Sequence, residues 1–374
     1  MLADTSRARL FLAGDLMCGR AIDQILPHPG DPRLYEAYVK DAGDYVRLAE
    51  RRNGAIPRPV DFAYVWGWAL EALRQRRPDV RLVNLETAVT RQGRPEPKGI
   101  NYRMHPANLP VLEVAGIDCC VLANNHVLDW GEAGLAETLA SLDEHGLQHV
   151  GAGTALHDAE APAMLPLADG GRLLAFAFAT PDCGVPPDWV AGRRRAGVAR
   201  LDDISPQSLR RVAACIAAAR QPGDRVLVSM HWGGNWDFGV SPAQRCFAHG
   251  LVDDAGVDLL HGHSSHHVKG IEVYRQRLIL YGCGDLLNDY EGIEGHARYR
   301  GELGLLYFAD LDRDGRLLAL ELLPTRQRRL SIQRAKGEDR QWLHDTLARE
   351  CAPLDCTVRP TGENSFALAW PASR

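Results

Sequence analysis

The sequence predicts an α/β protein, with helices covering both faces of a layered sheet core. Two observations carry this. Nine short runs dense in Val, Leu, Ile and Phe recur along the chain without clean polar–apolar alternation, which suits central strands buried on both faces. Between them lie amphipathic segments with legible helix starts and stops. At 374 residues, 45% hydrophobic and 24% charged, the chain can bury a large core and carries no compositional sign of disorder.

In chain order the strand candidates are "ARLFLAG" from Ala8, "VRLVNLE" from Val80, "DCCVLAN" from Asp118, "LLAFAFA" from Leu173 and "DRVLVSMHW" from Asp224. They continue with "VDLLHGH" from Val257, "RLILYGCGD" from Arg277, "LGLLYFADL" from Leu303 and "LLALELLP" from Leu317. The polar, Gly- and Pro-containing stretch 21–59 reads as a long loop, functional or mobile. "GEAGLAETLASLDEHG" from Gly131 reads as a helix ending at a glycine. "SPQSLRRVAACIAAARQPG" and "SPAQRCFAHGLVDDAG" open on Ser205 and Ser241 as N-caps, each followed by proline at the first helical position. A last helix, "EDRQWLHDTLARECA", follows Gly337. The domain expectation is one main domain over 1–330, with 331–374 as a helical extension docked on it.

A formal net charge of −5 argues against nucleic acid as a main partner, because phosphate neutralisation wants a basic face. The basic runs at 193–195 and 326–329 read as solvated loops. The N-terminus lacks the apolar core of a signal peptide, and no apolar stretch approaches the ~20 residues that span a bilayer. Nine scattered cysteines without a CxxC pair point to a reducing compartment, with Cys351 and Cys356 as free thiols. The expectation is a cytoplasmic protein with no membrane partner.

The carboxyl ends of the strands carry the chemistry. There stand Asp15; Asn84 and Glu86; Asn124, Asn125 and His126; His231; His263, His266 and His267; and Asp285. Ligands of open α/β sheets gather outside the carboxyl ends of strands. One histidine at a strand end is ordinarily a hydrogen-bonded core residue. A succession of tips bearing carboxylate, amide or imidazole is hard to explain as packing, since each group would need a buried partner. The mixed donor set suits Mn, Fe, Zn, Ca or Mg, and the absence of cysteine from it argues against a structural zinc site. A divalent metal is the inferred cofactor.

The order of these motifs resembles the calcineurin-like metallophosphoesterase superfamily, in particular its branch named after the capsule protein CapA of poly-γ-glutamate synthesis. The matching segments are "GDLMCGR", "VNLET", "LANNHVLDWGEAGLAETLASLDEHGLQHVGAG", "MHWGGNWDF" and "GHSSHHVKGIEVYRQRLILYGCGDLLNDYEGI", spanning most of Phe11 to Ile293. The resemblance implies an αββα sandwich of two central sheets flanked by helices, with one or two metals at the sheet ends. It implies that Asp15 and His266, or its neighbour His267, hold one metal and that Glu86 bridges. Asn125, His231 and His263 hold the second, and His126 matches the general acid. Three departures fall on the first metal's shell. Met17 stands where the hydrolytic family has histidine, Glu86 where it has aspartate, and "GHSSHH" spaces its histidines by three or four instead of two.

Those departures set two function classes against each other. One is metal-dependent hydrolysis of a phosphoester or amide, with His126 protonating the leaving group. The other is proton chemistry at carbon, in which one Lewis-acid metal acidifies a Cα–H and an acid and a base invert the centre. The CapA-like branch includes soluble epimerases of ribosomal lasso peptides. A copy without a recognisable anchor and with a thinned phosphatase site is expected to be such an epimerase, acting near the C-terminus of a peptide substrate. Membrane-anchored capsule assembly fits worst. A non-catalytic, metal-stabilised binding module is the third class, and exposed Asp and His groups around the site argue against it. The epimerase expectation assigns proton transfer to Asp15, His126 and His296, although His296 also reads as an exposed loop histidine. Asp285 is expected to orient a ligating histidine. Tyr102, Arg103 and His105, with Trp232 and Trp236, are expected to line a pocket for a peptide terminus, Arg103 gripping a carboxylate. The two tryptophans read equally well as core.

Overall fold

The strand Ala8–Leu16, eight of whose nine residues are buried, forms the axis of the larger sheet in the computed structural model, which describes residues 7–293 and 295–371. On one side it runs parallel to Val80–Leu85, followed by Cys119–Val121 and Gln148–Val150, also parallel. On the other it pairs antiparallel with Leu303–Leu311, and the sheet continues through Leu317–Gln327 to Phe366–Ala369 and Thr357–Pro360. The short strand Asp285–Leu287 joins its carboxyl end in parallel, with Asp285 opposite Asp15.

A second sheet has the order Ile271–Tyr274, Arg277–Leu280, Leu259–His263, Arg225–His231, Arg172–Ala179, Ala163–Pro166. Its four central strands are parallel and its two edges antiparallel. Side chains alternate across a strand, and the two faces go to different cores. Leu173, Ala175, Ala177, Leu227, Leu259 and Leu278 share one core with Leu10, Leu12 and Leu82 of the first sheet. Leu174, Phe176, Val226, Val228, Leu260 and Ile279 pack instead with Val212 and Ile216 of helix Pro206–Ala219 and with Phe247 and Leu251 of helix Pro242–Asp253. A mixed α/β architecture follows, its two large sheets joined through a common apolar layer.

Both Ser-Pro helix starts form as read. Ser205 accepts from Ser208 N, and Ser241 and Gln244 make a reciprocal capping box. Gly146 takes φ +67 just after helix Gly131–Glu144. The 21–59 stretch differs from the expected loop. It holds helix Ala42–Asn53, capped by the Asp41 side chain, which buries Tyr45, Val46 and Ala49. Its polar majority faces outward, which hid the narrow apolar stripe. The tail differs too. Besides helix Gly337–Cys351 it supplies Thr357–Pro360 and Phe366–Ala369 to the edge of the larger sheet, with Ala367 opposite Glu321. These strands are too short to announce themselves by periodicity. All nine cysteines are free, Cys351 and Cys356 among them. Among the described residues, no helix is long and apolar enough to cross a membrane.

The close approach of Gly14 to Gly284 sets where the first strand delivers Asp15. Asp15 N donates to Gly284 O at 2.9 Å. A Cβ on Gly14 would overlap that carbonyl, lying 2.6 Å from its carbon. Backbone against backbone leaves no side chain to yield. Gly14→Ala is therefore expected to cost about 1–3 kcal/mol in chemical denaturation and to weaken metal retention. Gly234→Ala, where a Cβ meets nothing within 4 Å, should leave stability unchanged.

Candidate metal centre

The parallel strands end together, so their tip residues meet. Asn84 Nδ2 donates to Asp15 Oδ1 at 2.7 Å and to Glu86 Oε2 at 3.1 Å, tying two buried carboxyl groups to one amide. Asp15 Oδ1 lies 3.8 Å from His263 Nδ1, and Asp15 Oδ2 lies 3.5 Å from His266 Nδ1. Glu86 Oε1 lies 4.0 Å from His231 Nε2 and 3.9 Å from His126 Nε2. His231 Nε2 reaches Asn125 Oδ1 at 3.1 Å, and its Nδ1 is 2.6 Å from His263 Nδ1. Two imidazole nitrogens this close share either a proton or a cation. Asp15, His231 and His263 offer donor atoms within 4.8 Å of one another, and so do Asp15, Glu86 and His266.

The "GHSSHH" turn separates its last two histidines. His266 takes φ +53 and Ser264 φ +95, a left-handed conformation that non-glycine residues adopt only under outside constraint. His266 thereby turns to Asp15, its Nδ1 2.9 Å from Asp285 Oδ1. His267 goes elsewhere. Its Nδ1 donates to Val268 O, and its ring sits between Phe238 and Tyr299 at 4.5 and 4.7 Å. Met17 is buried, with Tyr290 Oη 3.5 Å from its sulfur.

Burial first, then the charge of Asp285, pushes the Asp15 carboxyl up to about 6. Burial and Asp15 push Glu86 well above the usual carboxyl range. Burial also depresses His231 and His263 well below 6.5, aided by neighbouring imidazoles, so both present neutral lone pairs. Burial opposes a charge on His266, but Asp285 and Asp15 outweigh it and hold that ring above its ordinary value. A relay fixes the tautomer of His263. His261 Nε2 is 2.8 Å from Ala13 O, which can only accept, so His261 Nδ1 accepts from Ser229 Oγ at 3.0 Å. Ser229 Oγ then accepts from His263 Nε2 at 2.8 Å, leaving the Nδ1 lone pair toward the cluster.

His126 stands beside this cluster on its own support. Its Nδ1 is 2.6 Å from Asp129 Oδ2, which also accepts from Tyr102 N at 2.6 Å, while Asp129 Oδ1 accepts from Lys98 Nζ at 2.7 Å. Burial lowers the ring to about 4 against the pull of Asp129. A neutral imidazole with its Nδ1–H on Asp129 presents Nε2 as an acceptor on the Glu86 side. The two adjacent asparagines divide their work. Asn124 builds the turn, donating to Asn84 Oδ1 and Leu85 O and accepting from the backbone of His126 and Val127. Asn125 faces His231.

Of the remaining expected residues, Tyr102 sets its ring edge-on to His126 at 4.6 Å. Asp285 holds His266 and accepts from Asn288 Nδ2. His296 is exposed and stacks at 4.1 Å on Trp236, itself 5.5 Å from His266. It therefore stands one indole away from the cluster. Three residues are not brought to it. Arg103 lies over Trp130 at 3.8 Å and donates to Asp31 O. His105 caps the short helix Pro106–Asn108 through Ala107 N. Trp232 is core, stacked on Tyr281 with its Nε1 on Tyr281 O. Sequence reasoning missed the support roles of Asn84, Lys98, Asp129, Ser229 and His261. The last pair was findable, since Ser229 and His261 lie two positions before His231 and His263 in paired strands and so share their face.

Residues 9–290 match the family model described as "Bacterial capsule synthesis protein PGA_cap". The chain is 48% identical over 343 residues to a "probable polyglutamine synthesis accessory protein" of Mycobacterium tuberculosis, covering 91% of this chain and 90% of that one. It is 28% identical over 306 residues to the "PGA biosynthesis protein CapA" of Bacillus subtilis, covering 81% and 68%. A solved structure of GAP50, the anchor in the inner membrane complex of Plasmodium, aligns over 89% of this chain and 91% of that one at 10% identity. Its TM-score of 0.35 is too low to carry an argument.

The donor set makes opposite demands with and without a cation. In chelator, Glu86→Gln replaces a buried acid by a neutral isostere, and its thermal midpoint should match or exceed wild type. Added Mn or Zn at a hundredfold excess over its Kd should stabilise wild type by about 2.7 kcal/mol. Glu86→Gln and His231→Ala should both lose most of that gain. Equal metal content in wild type and His231→Ala by elemental analysis would rule this cluster out as the site.

Proposed function

The chain belongs to the bacterial capsule synthesis protein PGA_cap family, and from that premise we propose that it is a divalent-metal hydrolase acting on the amide bonds of a glutamyl polymer. One observation carries the metal. Asp15 Oδ2 and Glu86 Oε1 are buried without a hydrogen-bond partner, at the centre of three imidazoles. Carboxyl oxygens left that way are costly unless a proton or a cation meets them, and the neighbouring neutral imidazoles favour a cation. Asp15, Glu86 and His266 would hold a first ion, and Asp15, Asn125, His231 and His263 a second. Two sheets that share an apolar layer, the second covered on its other face by helices Pro206–Ala219 and Pro242–Asp253, support the αββα sandwich of the calcineurin-like superfamily.

A divalent ion held by these residues would supply Lewis acidity toward a carbonyl or phosphoryl oxygen. The chain's own residues move the protons. His126 Nε2, neutral and an acceptor, takes a proton from the attacking water and returns it to the departing amine. Asp129 keeps Nδ1 protonated and stabilises the imidazolium in between. Asp285 orients His266. Met17 contributes no ligand, so the first metal position rests on Asp15, Glu86 and His266.

The substrate class comes from the relatives, which are named for polyglutamine and PGA synthesis. They favour the metal-dependent hydrolase alternative over the peptide epimerase expected from sequence.

The test is incubation of the metal-loaded protein with poly-γ-glutamate and, separately, with bis(p-nitrophenyl) phosphate. Expected is a fall in polymer length with release of free amines. Chelator should abolish it, and His126→Ala should lower it by about 100-fold or more. Turnover of the phosphodiester with the polymer left intact would replace the amide reading by a phosphoesterase.

A further inference from the structure

We propose that Lys98 is a positioning residue, holding the metal ligand Asn125 and the proton carrier His126 in register through one ammonium group. The inference rests on the metal-dependent reading of this site and adds a residue from outside the strand tips. Lys98 lies in the irregular segment "RPEPKGIN", where nothing in the sequence singles it out.

Three contacts converge on its nitrogen. Lys98 Nζ donates to Asp129 Oδ1 at 2.7 Å and to the backbone carbonyl of Asn125, and lies 3.4 Å from His126 Nδ1. The Asn125 carbonyl belongs to the peptide that joins Asn125 to His126. Pinning it fixes the plane from which both side chains depart, one to His231 and the other toward Glu86. The bond to Asp129 acts on the second partner. Asp129 is fully buried, and its Oδ2 serves His126 and Tyr102 N. Without Lys98 its Oδ1 would lose its ammonium partner, and the carboxylate would be free to turn off His126. An ammonium presents three N–H donors in a tetrahedron, which suits an oxygen on each side.

The loop is built to deliver this group. Glu96 N donates to Asp129 O at 2.9 Å, Lys98 N to Glu96 O at 2.7 Å, and Asn101 Nδ2 to both Glu96 O and Asp129 O. The Lys98 side chain remains 24% exposed, with Nζ 5.2 Å from the Trp189 ring centroid. It closes the rim of the site without being part of the core, so its replacement costs stability only through the Asp129 oxygen left unpaired.

The test compares Lys98→Met and Lys98→Arg in the full chain. Outer-shell partners of metal ligands typically contribute about 10–100-fold in affinity or activity. Lys98→Met should weaken Mn or Zn affinity by that order in calorimetric titration, while its unfolding midpoint in chelator falls only by the cost of unpairing Asp129 Oδ1 and that of Lys98→Arg stays at wild type. Where turnover is measured, kcat should fall and KM stay near wild type. Lys98→Arg, which keeps the charge and its donors, should recover most of the affinity. Wild-type affinity in Lys98→Met would overturn the proposal. So would an equal loss in both variants with a lowered midpoint in chelator, which marks a structural role. Affinity is read without substrate, so a wild type that binds metal but cleaves neither polymer nor phosphodiester defeats the hydrolase reading alone.

Discussion

Two carboxyl groups buried side by side, Asp15 and Glu86, with one asparagine amide shared between them, set the terms for everything around them. Burial raises the proton affinity of both, with the charge of Asp285 adding to it at Asp15 and Asp15 adding to it at Glu86. Such a pair is stable only with protons or with a cation. The surrounding imidazoles are kept neutral by the same burial, which makes them ligands instead of counterions. His266 is the exception, and its ring is flanked by Asp15 and Asp285. The cluster groups two carboxyls with neutral imidazoles, a donor set that suits a divalent ion.

Holding that cavity requires each inner side chain to be fixed from behind. His263 is fixed by Ser229 and His261, and through them by a carbonyl of the opposite sheet. Asn84 is fixed by Asn124, His126 by Asp129, and His266 by Asp285. Every support is itself hydrogen-bonded, so no inner group can relax without unpairing an outer one. The backbone contributes as well. Gly14 against Gly284, and Gly262 against the Leu280 and Tyr281 carbonyls, bring chains closer than a Cβ allows. The left-handed turn at His266 then reaches Asp15 despite the altered spacing of its motif.

Chemistry and kinship meet at different resolution. The family is described by capsule synthesis, and the relatives are named for polyglutamine and PGA synthesis. The geometry supplies a cluster of donors that could hold a cation and a neutral imidazole at its edge, an arrangement compatible with hydrolysis. Met17, packed under Tyr290, offers no metal-binding group where the resemblance implies a histidine.

Sequence alone determined the α/β class, most of the strands and the inner residues at their tips. Asp15, Glu86, Asn125, His231, His263 and His266 were legible because periodicity and strand ends are local properties, written within a few residues. The choice of His266 over His267 was not, since it depends on a left-handed backbone that only packing enforces. Nor was the separation of Tyr102, which reaches His126, from Arg103 and His105, which turn away to Trp130 and to a helix cap. The supports lay furthest from view. Lys98 and Asp129 are 31 residues apart, and His261 and Ala13 are 248. Tertiary structure decided those contacts, because which loop closes on which strand depends on how the whole chain packs, and no local pattern encodes it.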